Sequence, residues 1–299
     1  MRKSIRLSQN FLANQPLIEQ LVSRAGFSSS DTVLDIGAGS GSITRALAGY
    51  TGHVIAYEAD ERLATELVGK FLANPNVQII MGDFLMADLP LSTYKVFANI
   101  PFNKTSDIVH KLLDGFNPPI GSHLVIQQEA AMKFAGVAKK QSLFSILHSP
   151  WFEMNIIYEF KPGDFTPRPA VKIVLLHIKQ RVNPLVLASE AELYRDFVSY
   201  VFNHANPNIL PSLKLLFPAK SFAAVERALG SKVASKPSQL EPHDWLAMFR
   251  AFMSTAQERQ RQLVTGAALK QRQEAAHIEK HHRTRLSKFW RQESKKSKG

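Results

Sequence analysis

Thr32-Val33-Leu34-Asp35-Ile36-Gly37-Ala38-Gly39-Ser40-Gly41 is the stretch on which the reading of the fold turns. The apolar and β-branched residues of 32–35 predict a buried strand, and the glycines after it predict a tight turn into a helix starting near Ser42. Glycine at such a turn lets the main chain pass close to a bound group with no Cβ in the way. The spacing is G-x-G-x-G, and Ser42 stands where a dinucleotide fingerprint would place its third glycine, which weakens a nicotinamide reading. No Gly-Lys-Ser/Thr follows, so a Walker loop is excluded. Alone, the three glycines are equally well explained as a structural turn.

Outward from this turn, short β-rich runs at 32–35, 53–58, 77–81, 95–99, 124–127, 155–160 and 172–179 alternate with amphipathic segments such as 60–71 and 106–113. That alternation predicts a doubly wound α/β sheet over residues 1–180, with the last two strands as an antiparallel hairpin closing one edge. After Arg181 the apolar spacing becomes helical, as in Leu193, Phe197 and Val201 and then Leu240, Trp245 and Phe249. Prolines 207, 211, 218, 237 and 242 cut this part into short helices, giving a small helical domain over 181–254. Residues 255–299 are rich in Gln, Arg, Lys and His with few apolar anchors, and predict a basic, partly helical, mobile arm.

The chain has 299 residues and no cysteine, which excludes disulfides, thiolate metal sites and cysteine nucleophiles. No run approaches the roughly 20 apolar residues of a membrane span, and Ser8, Gln9, Asn10 and Asn14 interrupt any signal-peptide core. A soluble, cytoplasmic monomer is the expectation. The net charge is +12, and residues 255–299 hold 12 Lys or Arg against 4 Glu, an excess of 8. Such a cluster suits a polyanion, because phosphate neutralisation releases counterions; the competing explanation is a solvated tail that aids solubility. Within it, Arg283, Arg285, Lys288 and Arg291 are interleaved with Phe289 and Trp290 as candidate RNA contacts. His277, His281 and His282 lack a carboxylate or thiol framework, so no metal site is expected.

Three strand ends point to one adenosine. Gly37, Gly39 and Gly41 follow the first strand, Glu58 ends the second, and Gly82-Asp83-Phe84 follows the third. An acid at the second position can accept both ribose hydroxyls, although Glu58 by itself could equally be a helix-capping acid. Asp83 is placed to accept the adenine amine. The fourth strand ends in Asn99-Ile100-Pro101-Phe102. An aromatic amine is a poor nucleophile because its lone pair is delocalised. Two fixed acceptors, the Asn99 side-chain oxygen and the Ile100 carbonyl, can take its two N–H bonds, while Pro101 stiffens the loop and donates nothing that competes. Alignment of that amine with a methyl carried on a sulfonium then matters more than a strong base. Phe102 would stack on the base, a contact of about 1 to 3 kcal/mol. Phe165 in Asp164-Phe165-Thr166-Pro167-Arg168-Pro169 is the candidate for the other face, with a plain core anchor as its competing role.

These segments, together with Ser8-Gln9-Asn10-Phe11-Leu12, Thr105-Ser106-Asp107-Ile108 and Gln128-Glu129, resemble the rRNA adenine N6-dimethyltransferases over about the first 180 residues. Ser8 before Gln9-Asn10-Phe11 brings the chain closer to the Erm branch than to the KsgA branch. The resemblance implies a Rossmann-like class I methyltransferase sheet and S-adenosylmethionine contacts at Asn10, Leu12, Gly37, Glu58, Asp83 and Asn99. It implies base contacts at Phe102 and Phe165. The implied substrate is one adenine in the peptidyl-transferase loop of 23S rRNA, whose methylation gives resistance to macrolides, lincosamides and streptogramin B. The competing enzyme reading is a KsgA-like dimethylase of small-subunit rRNA, and the competing non-enzyme reading is a nucleic-acid-binding factor on the same fold. Most of the family carries tyrosine where this chain has Phe102. Stacking survives that change while the phenolic hydrogen bond is lost, so mono- and dimethylation are both open.

Overall fold

The computed structural model describes residues 10–277. The first part runs β1 (Phe11–Leu12), α1 (Gln15–Arg24), β2 (Thr32–Ile36), α2 (Ser42–Ala48), β3 (His53–Glu58), α3 (Glu61–Lys70), β4 (Val77–Met81), β5 (Lys95–Asn99), α4 (Thr105–Asp114), β6 (Gly121–Gln127), α5 (Gln128–Ala135), α6 (Leu143–His148), β7 (Phe152–Glu159), β8 (Phe165–Thr166) and β9 (Ile173–Gln180). Seven strands form one sheet in the order β4-β3-β2-β5-β6-β9-β7. β2 through β6 pair in parallel, and β9 runs antiparallel to both β6 and β7. The doubly wound α/β sheet is therefore the observed fold. Strand order reverses between β2 and β5, so the crevice at their carboxyl ends brings the glycine turn beside Asn99.

The closing pair differs from a simple hairpin. Residues 160–172 intervene between β7 and β9 and carry β8, which pairs antiparallel with β1 through Phe11 with Thr166 and Leu12 with Phe165. Two-residue strands carry no periodicity, so the sequence pattern is silent about them. The hook is tightened by Asp164, whose carbonyl accepts from the Ala13 N–H at 2.8 Å and whose carboxylate accepts from the Asn14 amide at 2.8 Å. It holds the N-terminal segment across the mouth of the crevice.

The second part continues with α7 (Ala191–Asn203), α8 (Leu210–Leu216), α9 (Ala219–Leu229), α10 (Pro242–Thr255), α11 (Glu258–Val264) and α12 (Ala267–His277). Pro211 and Pro242 stand in the first turns of α8 and α10, where a missing N–H costs nothing. Tyr194, Phe197, Val201, Leu240, Trp245, Phe249 and Phe252 form its buried core. Ile146 of α6 belongs to the same core, and the Tyr194 hydroxyl donates to its carbonyl at 3.0 Å, so the helical layer grips the α/β part through α6.

An arm beginning at 255 is not what residues 255–277 form. Val264 is fully buried in the helical core and Ala268 is buried as well. The anchor is polar and distant in sequence: buried Asp196 on α7 accepts from the Gly266 N–H at 2.8 Å and the Ala268 N–H at 2.9 Å. A carboxylate at the amino end of α12 satisfies orphan donors and complements the helix dipole. Few apolar residues are needed when a helix is held this way, which is why composition alone suggested an arm. Arg283, Arg285, Lys288 and Arg291, with His281, His282, Phe289 and Trp290, lie outside the described residues.

Replacing Asp196 with Ala removes both bonds. Loss of about 1 to 2 kcal/mol of stability is expected, read by denaturant unfolding. Amide exchange should rise first at residues 266–270, whereas unchanged exchange there would show that apolar packing alone holds α12.

Candidate active site

The turn after β2 is built for close approach. Gly37, Gly39 and Gly41 have φ of +76°, +57° and +82°, the left-handed region that favours glycine. A Cβ on Gly39 would come within 2.8 Å of the Phe11 ring, and one on Gly41 within 2.7 Å of Leu67, so both positions are closed to larger residues by space as well as by φ. Glu58, 4% exposed at the end of β3, accepts from the Gly39 N–H at 2.7 Å and the Asp60 N–H at 2.9 Å. It is not a surface capping acid. It fixes the glycine turn from beneath, leaving further lone pairs on the same oxygens for hydroxyl donors.

Asn99 ends β5 across the switch point. Its Nδ2 donates to the Asn10 carbonyl at 2.8 Å, which fixes the orientation of the amide. Oδ1 is buried without a hydrogen-bond partner. A buried unpaired acceptor costs about 1 to 3 kcal/mol, and the fold retains it where a donor from outside can meet it. The cleft at this point is lined by Asn10 and Phe11 on one side and by Gly37 and Asn99 to Phe102 on the other. The Ile100 side chain is buried in the core, so what Ile100 offers the cleft is its main chain. Pro101 has φ −54° and leads into a 3-10 turn, Phe102–Lys104, closed by the Lys104 N–H donating to the Pro101 carbonyl at 2.9 Å. Phe102 is half-buried against the apolar cluster that contains Leu12, Phe160 and Phe165. Asn10, Gly37, Asn99, Ile100, Pro101 and Phe102 are thus brought together.

Phe165 is placed otherwise than expected, Leu12 has only its main chain to offer, and Asp83 already has partners. Phe165 is 2% exposed and packs edge-on against Phe160 with ring centroids 5.4 Å apart, so it serves as a core anchor and presents no open face to a base. The pairing of β8 with β1 turns its side chain inward. The Leu12 side chain is also in the core, and Phe11 lines the cleft in its place. Asp83 is already engaged: Oδ1 accepts from the Leu85 N–H at 3.0 Å and Oδ2 pairs with Lys104 at 2.7 Å. The hydrogen bond from Lys104 holds the Asp83 carboxyl below its ordinary range. An adenine amine at Asp83 has to share it with Lys104 or displace that side chain. Phe11 and Lys104 were missed because their roles depend on contacts across the crevice. Phe11 had a usable signal in its place within Gln9-Asn10-Phe11.

Asp35, inside the opening motif, is a further residue with altered chemistry. It is 1% exposed, Oδ2 accepts from the Thr44 hydroxyl at 2.6 Å, and Oδ1 has no partner. Burial, opposed by the Thr44 hydrogen bond and reinforced by the Glu58 charge, pushes its pKa up to about 7. The orphan Asn99 oxygen, the glycine cradle and buried Glu58 together fit an adenosine-bearing methyl donor on one side and an amine on the other.

Because the folded Asp35 holds its proton to higher pH than an unfolded one, the folded state binds more protons between about pH 4 and 7, and stability falls as pH rises through that window. Asp35→Asn mimics the protonated acid. Its stability relative to the parent should therefore rise from pH 5 to pH 8 in urea titrations, and parallel pH profiles would refute the buried titration.

The chain was compared with known proteins. The family model for ribosomal RNA adenine dimethylase matches residues 1–253. An rRNA adenine N-6-methyltransferase of Bacteroides fragilis is 30% identical over 252 residues, covering 84% of this chain and 94% of that protein. An rRNA methyltransferase of Streptomyces thermotolerans is 31% identical over 241 residues, covering 81% of this chain and 80% of that protein. The crystal structure of 23S rRNA methyltransferase ErmE superposes with a TM-score of 0.76 at 28% identity, covering 82% of this chain and 100% of that one. With an acceptor turn at Asn99 to Phe102 on a matching fold, the chain belongs to the ribosomal RNA adenine dimethylase family.

Proposed function

We propose that this protein methylates N6 of one adenine in the peptidyl-transferase loop of 23S rRNA, using S-adenosylmethionine, and thereby confers resistance to macrolides, lincosamides and streptogramin B. The observation that carries the reading is the buried, unpartnered Asn99 Oδ1 at the cleft, held there by the bond from Nδ2 to Asn10. The bound donor supplies a methyl group on a positively charged sulfur, which is an excellent leaving group. Asn99 Oδ1 and the Ile100 carbonyl would accept hydrogen bonds from the two amine hydrogens and turn the nitrogen lone pair toward that methyl, and the surplus N6 proton would pass to solvent once the methyl is on nitrogen. Phe102 stacks on the extruded base. Gly37 to Gly41 and Glu58 would hold the donor's methionine and ribose portions, and Asp83 would take its adenine amine while sharing its carboxylate with Lys104.

Ser8 ahead of Gln9-Asn10-Phe11 and the likeness to ErmE favour large-subunit over small-subunit RNA. A non-catalytic RNA-binding role is disfavoured, since the matching family and the relatives are methyltransferases and the Asn99 to Phe102 turn is intact. The enzyme acts as a monomer in the cytoplasm; among the described residues no helix is long and apolar enough to cross a membrane. Arg283, Arg285, Lys288 and Arg291 add electrostatic RNA contacts from the C-terminal segment.

Asn99→Ala should lower methyl transfer to 23S rRNA by about 100-fold or more while RNA binding persists. The mass of digested rRNA gives site and methyl count together, and modification confined to small-subunit RNA would overturn the assignment. Deleting residues 278–299, past the end of α12, should weaken RNA binding and make it less salt-dependent. Unchanged binding would reduce that segment to a solvated tail.

A further inference from the structure

A groove of about 430 Å³ lies behind the acceptor turn, between the α/β part and the helical layer. One wall is α4, from Ser106 to Asp114, and the facing wall is Arg195 of α7 with Gln271 and Arg272 of α12. Lys133 of α5 stands at its edge. Ser106, where the groove begins, is four residues past Phe102 on the helix that grows directly out of the acceptor turn.

Cations outnumber carboxylates on the lining of this groove. Lys133, Arg195 and Arg272 come from three separate helices, and among the described residues none of them lies within ion-pairing distance of a carboxylate. Among the described residues Asp114 is the one carboxylate on the lining; it is hydrogen-bonded by His110 Nδ1 and His148 Nε2, both at 2.8 Å, and stays an anion at longer range from Arg195. Arg195 is half-buried with its guanidinium over the Trp151 ring, 4.9 Å from the centroid, so its position is set by packing. Arg272 is exposed on α12, a helix that Asp196 locks in place and that lies beyond the residues 1–253 matched by the family model.

We infer that this groove holds the phosphates of the RNA strand flanking the target adenine, on Lys133, Arg195 and Arg272. The inference rests on the reading of the protein as an RNA methyltransferase, and it assigns to α12 a substrate-binding role outside the part shared with the family. The dimensions agree. At 1.5 Å per residue, Asp114 lies about 12 Å beyond Ser106 along α4, which is the length of three to four nucleotides stacked at about 3.4 Å each. A strand whose base is extruded at Phe102 therefore runs its next phosphates past three cations that no ion pair among the described residues ties up, Arg195 feeling Asp114 and Glu192 only at longer range.

The test measures binding of the full chain to two transcripts, the peptidyl-transferase loop of 23S rRNA and the 3′ end of small-subunit rRNA, between about 50 and 200 mM salt. The double variant Arg195→Met/Arg272→Met should bind the first transcript about tenfold more weakly. Its slope of log affinity against log salt should be shallower by about 1.4, because each single-strand phosphate contact contributes about 0.7. Affinity for S-adenosylhomocysteine, measured by calorimetry, should be unchanged. Arg272→Glu, on an exposed helix face, should weaken RNA binding more than Arg272→Met, and it decides the matter if the double variant loses S-adenosylhomocysteine binding through misfolding. Equal affinity and equal salt slope for the parent and these variants would overturn the groove alone. Failure of the parent to bind either transcript would instead remove the RNA-methyltransferase reading on which it rests.

Discussion

The hydrogen bond from Asn99 Nδ2 to the Asn10 carbonyl organises this molecule's chemistry. It commits the nitrogen of the amide to the protein and so leaves the oxygen for a substrate. A free asparagine could present either atom to the cleft, and the wrong one would repel an amine. The partner carbonyl must itself be held, and that is the work of the hook between β1 and β8 with Asp164 beneath it. Phe165 is buried under this hook, and the Asn10 side-chain amide itself donates to the Pro167 carbonyl at 2.7 Å just beyond it.

The cofactor side obeys the same economy of fixed polar groups. Glu58 gives one oxygen to Gly39 and the other to Asp60, so a turn made of residues with wide conformational freedom is held in one shape. Asp83 is paired with Lys104, three residues from Pro101 in the acceptor loop. An ion pair therefore joins the third strand end to the acceptor turn, linking the place expected for the donor's adenine to the place expected for the target's. Preorganised charges and dipoles of this kind suit a reaction that needs alignment more than a base.

In the proposed reading, the helical layer supplies surface for an RNA larger than the crevice. Methyl transfer needs only the crevice, whereas selecting one adenine in a folded RNA needs surface on either side of it. α7 provides both the carboxylate that seats α12 and, one residue before it, the arginine that faces the groove. Stability and RNA contact are in this way served by adjacent residues, Asp196 and Arg195, pointing to different sides of one helix.

What could be read from the sequence alone followed from periodicity and from local motifs. Alternating strand and helix patterns determined the sheet, the glycine turn located the switch point, and Asn99 to Phe102 supplied the candidate acceptor turn, because each of these depends on residues close together along the chain. Only the tertiary structure decided that Phe165 faces the core, that Lys104 occupies Asp83, and that residues 255–277 fold onto α7. Those outcomes rest on contacts between distant residues, Asp83 with Lys104, Asp196 with Gly266 and Leu12 with Phe165, and such contacts leave no spacing pattern behind. A two-residue strand or a single buried carboxylate can fix a segment without adding an apolar residue to it. Hydrophobic patterning reports which surfaces must be buried, but polar anchoring is settled only when the chain has closed on itself.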